Sequence, residues 1–227
     1  MKFKKIGVVI ADTMEFKPFA DLAKEYNPES GEINGYETIK FNIGDKEIVG
    51  IRCLIGKVNA ATATAMLVMK ENVDCIMNIG LSGAVHGIRR GTVFAGKSFR
   101  ECDFDLSAIG YEVGVKPDQE SVYSANEELL AKIPQEFNIP VLNCGTGDYF
   151  LTKNETKALY YKQFNINTFD METGAIASVC HNCGLPFLSV RKVSDDSEDT
   201  GINDYREMNE QAETDLSDII FAVIKNL

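Results

Sequence analysis

The run Asp74-Cys-Ile-Met-Asn-Ile-Gly80 says most about the fold, because it is short and almost entirely apolar. A strand with one face in water alternates polar and apolar residues, whereas a strand covered on both faces stays apolar throughout. We therefore interpret this run as a central strand with helices on both sides of its sheet. The segment that follows, Gly80-Leu-Ser-Gly-Ala84, fits either a tight strand-to-helix turn or a place where a ligand approaches the backbone.

Strand-like and helix-like segments alternate on both sides of this run. Strands are predicted at Lys5–Ala11, Tyr36–Phe41, Glu47–Ile55, Asp74–Gly80, Gly91–Cys102, Pro140–Asn143, Asn165–Asp170 and Pro186–Ser194. Helices are predicted at Met14–Tyr26, Lys57–Asn72, Glu172–Cys180 and Tyr205–Leu227, with two more starting at the capping-box patterns Ser124–Glu127 and Thr152–Glu155. Short connections between alternating elements predict an α/β fold: a single domain over residues 1–227, with three αβα layers and a mixed central sheet.

The composition excludes some classes of partner. The chain has 227 residues, with 34 acidic and 23 basic side chains and a net charge of −11, which argues against nucleic acid or an anionic membrane as the partner. No apolar run approaches the ~20 residues of a membrane helix. The start, Met1–Ala11, joins basic and apolar residues, but its short apolar part predicts a first strand better than an export signal. Six cysteines without such a signal favour reduced thiols and a cytoplasmic location.

The segment Gly91-Thr-Val-Phe-Ala-Gly-Lys-Ser98 matches the spacing of a phosphate-binding loop. Such a loop curls around phosphate between a strand and the first turn of a helix. Here the residues between the glycines favour an extended chain, and the residues that follow have no helical apolar period. We therefore predict a plain strand at this place.

Cys180 and Cys183 form a CxxC motif, which occurs in redox pairs and in half of some metal sites. No second cysteine pair has ligand spacing, and the chain contains only two histidines. The motif also ends a predicted helix, whereas thiolates are stabilised at the start of one. We interpret it as structural, and we predict neither a metal nor a cofactor.

Carboxylates follow three of the predicted strands. Asp12 and Glu15 follow the first, Asp170 and Glu172 stand where a strand turns into a helix, and Ser194-Asp-Asp196 ends another apolar strand. Acids at a helix N-terminus are also favoured by the helix dipole alone, so no single cluster is specific. If all three strands are central, their ends meet in one site. Carboxylates gathered there repel one another, which raises a pKa and makes a proton donor available near neutral pH.

Seven segments match one known family in combination, although none would be specific alone. They are Ile6–Ala11 with Glu15, Ile55–Ala61, Asn78–Gly83, Cys102–Asp105 with Gly110-Tyr111, Thr146–Phe150, Phe169–Ala175 and Val190–Asp195. With these segments the chain resembles the 5′-methylthioadenosine/S-adenosylhomocysteine nucleosidases of the purine nucleoside phosphorylase/hydrolase superfamily. The resemblance implies hydrolysis of an adenine N-glycosidic bond, giving adenine and a 5-thioribose, without metal or cofactor. It also implies a small-molecule nucleoside as the ligand and a homodimer as the assembly.

The resemblance assigns three catalytic carboxylates. Glu15 matches the residue that positions and activates the attacking water, and Asp195 matches the residue that protonates purine N7. Glu172 matches the residue that holds the ribose hydroxyls. Arg191 and Ser194 match supporting residues around the proton donor. These roles agree with the chemistry, because cleavage builds positive charge on the ribose that nearby carboxylates stabilise.

The resemblance also implies a binding surface for the substrate. Met171 is expected against the sugar, Phe150 stacked on adenine, and the backbone of Leu151 at the adenine edge. Ser82 and Gly83 complete the expected substrate-binding residues. A 5′-thio substituent would need an apolar pocket in addition.

Some positions depart from the usual pattern of this family. Asp170 stands where a glutamate is usual, so its acid is one carbon shorter, and Leu81 stands where a serine is usual. Tyr205 and Met208 are the residues expected to line the pocket for the 5′ substituent.

Other functions compete with this interpretation. Phosphorylases of the superfamily carry an arginine-bearing glycine loop after the first strand, whereas Ala11–Lys17 has no arginine and Lys17 is its only basic residue. Hydrolysis is therefore favoured over phosphorolysis. Hydrolases acting on futalosine-type nucleosides or inosine are alternatives on the same fold. A nucleoside-binding protein without turnover is a more distant one, because binding alone does not need Glu15, Glu172 and Asp195 together.

Overall fold

The structure is a computed structural model that describes residues 3–195, 205–208 and 215–227. The strands are β1 (Lys5–Ile10), β2 (Glu29–Ile33), β3 (Tyr36–Ile43), β4 (Lys46–Arg52), β5 (Cys75–Ala84), β6 (Val93–Glu101), β7 (Tyr123–Ser124), β8 (Val141–Thr146), β9 (Thr168–Asp170) and β10 (Phe187–Asp195). The helices are α1 (Thr13–Ala23), α2 (Lys57–Met66), α3 (Glu127–Leu130), α4 (Asn154–Phe164), α5 (Thr173–Asn182) and α6 (Asp215–Lys225). Residues 205–208 are also helical.

The strands form one mixed sheet in the order β10-β6-β8-β9-β5-β1-β4-β3-β2, and β7 pairs with β6. Strand β10 pairs with β6 on one side and with β5 on the other, so five of the strands close into a ring. The pairs β1–β4, β1–β5, β5–β10, β6–β8 and β8–β9 are parallel. The predicted α/β fold with a mixed sheet is confirmed, and the ring is a feature that the sequence did not predict.

Helices cover both faces of the sheet. On one face, α1, α3 and α6 contribute buried side chains that include Phe16, Phe19, Leu129, Leu216, Ile219, Ile220 and Val223. On the other face, α2 and α5 contribute Ala60, Ala63, Ile176, Ala177 and Cys180. Small residues on this second face let α2 and α5 pack closely against the strands and against each other. A smaller cluster packs α4 against β9 through Phe164 and Phe169.

The segment Gly80–Ala84, for which a turn was one of two interpretations, is part of the central strand. Strand β5 continues to Ala84, because its last residues pair with β10 on one side and with β9 on the other. The alternative of a strand-to-helix turn is therefore wrong. The continuation matters for function, since it brings the backbone of Ser82 and Gly83 alongside the end of β10.

Several local predictions fail at the element ends. Helix α3 is capped by Asn126, whose side chain accepts a hydrogen bond from Leu129 N at 3.0 Å, and not by Ser124. The N-cap of α4 is Lys153, which makes no side-chain capping bond, so the predicted capping box at Thr152 is also wrong. Strand β2 was missed because its sequence, Glu-Ser-Gly-Glu-Ile, is polar and exposed except at its end. The predicted helix Tyr205–Leu227 includes residues 209–214, which lie outside the described residues.

Two motifs have the plain structures that the sequence predicts. The phosphate-loop-like segment Gly91–Ser98 runs into β6 as extended chain, with Lys97 exposed. All six cysteines lie in the described part of the chain and are free, with Cys180 buried and Cys183 exposed. Within the described residues, none of the helices combines the length and the apolar character that a bilayer crossing requires.

Candidate active site

A cavity of about 210 Å³ opens where β1, β5, β9 and β10 end. Its lining comprises Ala11, Asp12, Glu15, Ile55, Leu81, Ser82, Gly83, Ala84, Tyr149, Phe150, Leu151, Phe169, Asp170, Met171, Glu172, Ser194, Asp195 and Tyr205. The three carboxylate clusters that follow separate strands in the sequence thus meet in one place. Asp196, the last acid of the third cluster, lies outside the described residues.

Glu15 is held at the first turn of α1. Asp12 caps this helix through a capping box, in which the side chain of Glu15 accepts from the backbone of Asp12. The other Glu15 oxygen, Oε1, accepts a hydrogen bond from Leu81 N at 2.7 Å. Burial raises the pKa of Glu15, and the nearby Arg191 guanidinium opposes this shift. The carboxyl group is therefore a stronger base than an ordinary glutamate.

Gly80 makes room for this arrangement. A Cβ at this position would lie 3.0 Å from Glu15 Oε1 and 2.9 Å from Arg191 Nη1. Any side chain here would displace one or both charged groups. The unusual residue next to it, Leu81, contacts Glu15 through its backbone N–H, so that contact does not depend on having the serine that is usual there.

Glu172 is buried, with 5% of its surface exposed, just before α5. Its Oε1 accepts from Gly56 N at 3.0 Å, and its Oε2 lies 3.6 Å from Arg191 Nη2. Burial raises its pKa to about 7; Arg191 opposes the shift, whereas Asp170 and Glu15 add to it. At neutral pH this carboxyl group can therefore be either an acceptor or a donor toward a sugar hydroxyl.

Asp170 organises the turn into α5. It accepts hydrogen bonds from Thr146 Oγ1 at 2.9 Å, from Glu172 N at 3.0 Å and from Thr173 N at 2.9 Å, and the Thr173 hydroxyl bonds it as well. The shorter acid at this position is thus the anchor that orients Glu172. Its oxygens are engaged within the protein although the residue lines the cavity.

Arg191 lies behind the cavity wall and is not among the lining residues. It is 1% exposed, and its guanidinium donates to Ser82 Oγ at 3.1 Å, to Asn78 Oδ1 at 3.1 Å and to Leu81 O. The resemblance implied a place near Asp195, but the acids that we find within 4.0 Å of its guanidinium, among the described residues, are Asp170 and Glu172. Arg191 compensates buried negative charge beneath the site.

Asp195 is 1% exposed and lies at the end of β10. Ser194 Oγ donates to its Oδ1 at 2.7 Å, in agreement with the expected supporting position of Ser194. Gly83 faces the same carboxylate, because a Cβ there would lie 3.0 Å from Asp195 Oδ1. Lys157 Nζ lies 3.4 Å from Oδ2. Lys157 was missed from the sequence, because α4 is polar in composition and the sequence does not show which face of the helix is buried.

Aromatic and apolar side chains form the rest of the cavity. Phe150, Leu151 and Met171, which the resemblance expects around the base and the sugar, all line it. Tyr205 lines it as well and meets Phe150 edge-on, with ring centroids 5.4 Å apart. Met208, the other residue expected near the 5′ substituent, is not among the lining residues. A flat base would find a stacking surface at Phe150.

The basic residue that could have marked a phosphate site points away from the cavity. Lys17 pairs with Asp21 at 3.0 Å on the outer face of α1, and its side chain is 64% exposed. In the part of the chain that the structure describes, no lysine or arginine side chain lines the cavity.

Comparison with known proteins agrees with the fold. The family model described as the Phosphorylase superfamily matches residues 5–225. A 5′-methylthioadenosine/S-adenosylhomocysteine nucleosidase of Bacillus cytotoxicus is 30% identical in an alignment of 231 positions, gaps included, that covers 98% of this chain and 99% of the relative. A solved structure of the nucleosidase of that name from S. pneumoniae, with a transition-state inhibitor, is 27% identical with a TM-score of 0.88, covering 98% of this chain and 99% of its own.

A futalosine hydrolase of Helicobacter pylori has a similar fold, with a TM-score of 0.93 and coverage of 99% of this chain and 98% of its own. At 22% identity that likeness concerns the fold alone. The family match over almost the whole chain carries the assignment. This protein belongs to the phosphorylase superfamily and, within it, to the family of 5′-methylthioadenosine/S-adenosylhomocysteine nucleosidases.

Proposed function

We propose that this protein hydrolyses the N-glycosidic bond of an adenine nucleoside, with 5′-methylthioadenosine and S-adenosylhomocysteine as substrates. The products are adenine and the corresponding 5-thioribose. The observation that carries the proposal is a single cavity whose wall holds Glu15, Glu172 and Asp195 beside an aromatic surface. The names of the relatives support the choice of substrates.

Glu15 is proposed to activate the water. Its carboxylate is held by Leu81 N, and its raised pKa makes it a better proton acceptor at neutral pH. The water oxygen forms a bond to C1′ of the ribose while one of its protons passes to Glu15. Because Arg191 lies close behind, the resting negative charge of Glu15 is partly compensated.

Glu172 is proposed to bind the ribose hydroxyls. Gly56 N and Arg191 fix its carboxyl group from two sides, so the group is oriented before substrate arrives. As the glycosidic bond breaks, positive charge develops on the ribose ring, and a carboxylate held in a buried position stabilises that charge strongly. Met171, next in the chain, gives the sugar an apolar contact.

Asp195 is proposed to protonate the leaving base. Breaking the C1′–N9 bond sends its electron pair into the purine, and a proton from Asp195 to N7 neutralises the charge that would otherwise build up there. Ser194 holds one oxygen of this carboxyl group. Inverting glycosidases also place an acid on one side of the sugar and a water on the other. The comparison with them is an analogy of chemistry alone.

The cavity favours water over phosphate as the nucleophile. A phosphate dianion in a site walled by carboxylates needs a cationic partner, and arginine or lysine usually supplies it. Within the described residues such a side chain is missing from the lining, and Lys17 is paired with Asp21 on the outer surface. The local charge therefore supports hydrolysis.

We further infer a homodimer in the cytoplasm. Leu54, Ile55 and Val58 are 42%, 50% and 76% exposed, and Ile55 also lines the cavity. A second copy that covered this apolar patch would also complete the adjacent cavity wall. The cytoplasmic location rests on a separate observation, since six free thiols are in keeping with a reducing compartment. Sedimentation of the wild type and of Val58→Asp tests the assembly: a dimer that the variant weakens is expected, and a wild-type monomer would contradict it.

A panel of nucleosides tests the activity. Base release is measured from 5′-methylthioadenosine, S-adenosylhomocysteine, adenosine, inosine and futalosine, each with and without phosphate. The first two should release adenine in the absence of phosphate. Adenine release that requires phosphate would contradict the hydrolase assignment, turnover confined to inosine or futalosine would replace the substrates, and binding without any turnover would indicate a binding protein.

A matched pair of variants makes the panel specific to the site. Glu15→Gln removes the proposed base with little change of shape, whereas Glu25→Gln makes the same change at an exposed position after α1. The first should lose most of its turnover and the second none.

A further inference from the structure

A lysine is buried against the proposed proton donor. Of the residues of α4, Lys157 and Phe164 are the buried ones, and the side chain of Lys157 is only 3% exposed. Its Nζ lies 3.4 Å from Oδ2 of Asp195, whose side chain is 1% exposed. Among the described residues, Asp195 is the only acid within 4.0 Å of this ammonium group.

Such a pair is an expensive way to attach a helix. Removing an ammonium group and a carboxylate from water is unfavourable, and well-packed apolar residues of similar size often stabilise a protein as much or more. Phe164 of α4 and Phe169 of β9 belong to one apolar cluster that already holds this helix against the sheet. The position of the Lys157 ammonium group is therefore better explained by its contact with Asp195 than by a contribution to the stability of α4.

We propose that Lys157 is a positioning residue for the glycosidic cleavage and acts through Asp195. The inference rests on the proposed function. When Asp195 transfers its proton, the O–H bond breaks, an N–H bond forms at purine N7, and the electron pair stays on the Asp195 carboxylate. Lys157 keeps its own three protons and stabilises the carboxylate that forms. Since Ser194 Oγ holds the other oxygen, the two contacts also fix the orientation of the carboxyl group.

This role differs from that of Arg191, the other buried cation of the site. Arg191 lies against Asp170 and Glu172, neither of which is proposed to give up a proton to the substrate. Lys157 faces a group whose charge changes during the reaction. An interaction that is stronger in the transition state than in the ground state raises kcat, so the loss of Lys157 should appear in kcat more than in KM.

The test compares two leaving groups. One substrate is 5′-methylthioadenosine, whose base needs a proton to depart, and the other is the 4-nitrophenyl riboside with the same 5′-methylthio group, which departs as a stable anion. Lys157→Met should lower kcat for the nucleoside by roughly 10-fold or more, a share of the whole general-acid effect, and leave the nitrophenyl substrate within about twofold. Lys162→Met, at an exposed position of the same helix, should change neither.

Two further variants separate this role from a structural one. Lys157→Arg restores a cation and should recover part of the nucleoside activity. In an Asp195→Asn background, Lys157→Met should cause little additional loss, because the group through which it acts is already gone. Lys157→Gln keeps a polar side chain, one atom shorter and without the charge, and serves for the same comparisons if the methionine variant does not fold.

The results that would overturn the role of Lys157 differ from those that would overturn the proposed function. Equal losses with the two substrates, or a full multiplicative loss in the Asp195→Asn background, would overturn the inference and assign Lys157 to structure alone. An active wild type with an unaffected Lys157→Met would do the same. If the wild type cleaves none of the nucleosides, the proposed function itself fails.

Discussion

Replacing Arg191 by methionine removes the cation that lies behind the cavity wall. Methionine matches the length of the arginine stem, so the packing of β10 changes little while the guanidinium is lost. Asp170 Oδ2 and Glu172 Oε2, which lie 3.7 and 3.6 Å from Arg191 Nη2, then lose a buried counter-charge. Asn78 Oδ1 and Leu81 O also lose a hydrogen-bond donor.

The expected cost is large. Breaking a buried ion pair by removing one partner typically costs about 3–5 kcal/mol, because the remaining charge stays buried. For a chain of this size, 1 kcal/mol lowers Tm by about 2–4 °C, which predicts a decrease of roughly 6–20 °C. Arg52→Met is the matched control. It breaks the ion pair of Arg52 with Glu37 at 2.8 Å, whose glutamate side chain is 51% exposed, and should cost at most about 1 kcal/mol.

The sign of the pH dependence makes the prediction more specific. Burial raises the pKa of Glu172 to about 7 in the folded protein. As the pH rises from the ordinary pKa of a glutamate through 7, this carboxyl group ionises and the folded protein loses stability. Arg191 opposes that shift, so its removal raises the pKa of Glu172 further. The loss of stability in Arg191→Met should therefore be larger at pH 8 than at pH 5.5, where Glu172 is protonated in both proteins.

Thermal and urea unfolding at the two pH values measure this difference. A Tm decrease as small as that of Arg52→Met would contradict the structural role of Arg191. An equal decrease at pH 5.5 and pH 8 would show that Arg191 does not compensate the charge of Glu172.

Three further predictions concern the cavity. Asp195→Asn should lower kcat by roughly 100-fold or more in a steady-state assay of adenine release, because the proton donor is lost; unchanged turnover would show that the donor is another residue. Gly83→Ala places a Cβ 3.0 Å from Asp195 Oδ1 and should lower kcat while leaving Tm within a few degrees, whereas the control Gly31→Ala, on the outer strand β2, should leave kcat unchanged. Lys17→Ala should not alter turnover with or without phosphate, because Lys17 pairs with Asp21 on the surface; a phosphate-dependent loss would revive the phosphorylase alternative.

The layered fold was predictable from the central strand. Strand β5 is apolar along its first five residues except at Asn78, since both faces of the sheet are covered by helices. Asn78 itself has a structural reason, because its amide donates to Val9 O and its Oδ1 accepts from Arg191 and Ser189. The polar residue inside this apolar strand thus lies where the buried arginine binds. The sequence pattern alone did not show that Asn78 and Arg191 are in contact.

The meeting of Glu15 and Asp195 at one cavity, which Glu172 reaches from the antiparallel strand β9, was also predictable, because β1 and β10 both run parallel to β5 and their ends lie side by side. The closure of five strands into a ring was not, since it depends on β10 pairing with both β5 and β6. That pairing extends β5 through Gly83 and brings Asp195 alongside it. Long-range pairing of this kind leaves no local signal in the sequence.

Lys157 shows a different limit. Its helix, α4, has few buried residues and a polar composition, so an inward-facing lysine does not stand out from the exposed ones. The capping-box pattern at Thr152 also misplaced the start of this helix by one residue, and the pattern gave no information about which face α4 turns toward the sheet. The partner that explains Lys157, Asp195, is 38 residues away in the chain.

The nucleophile is the most direct test of the proposed reaction. The protein is incubated with 5′-methylthioadenosine in ¹⁸O-labelled water containing phosphate, and the sugar product is analysed by mass spectrometry. Our account predicts free 5-methylthioribose with one ¹⁸O atom at C1, at the same rate with and without phosphate. A sugar 1-phosphate, or the absence of turnover until phosphate is added, would contradict it.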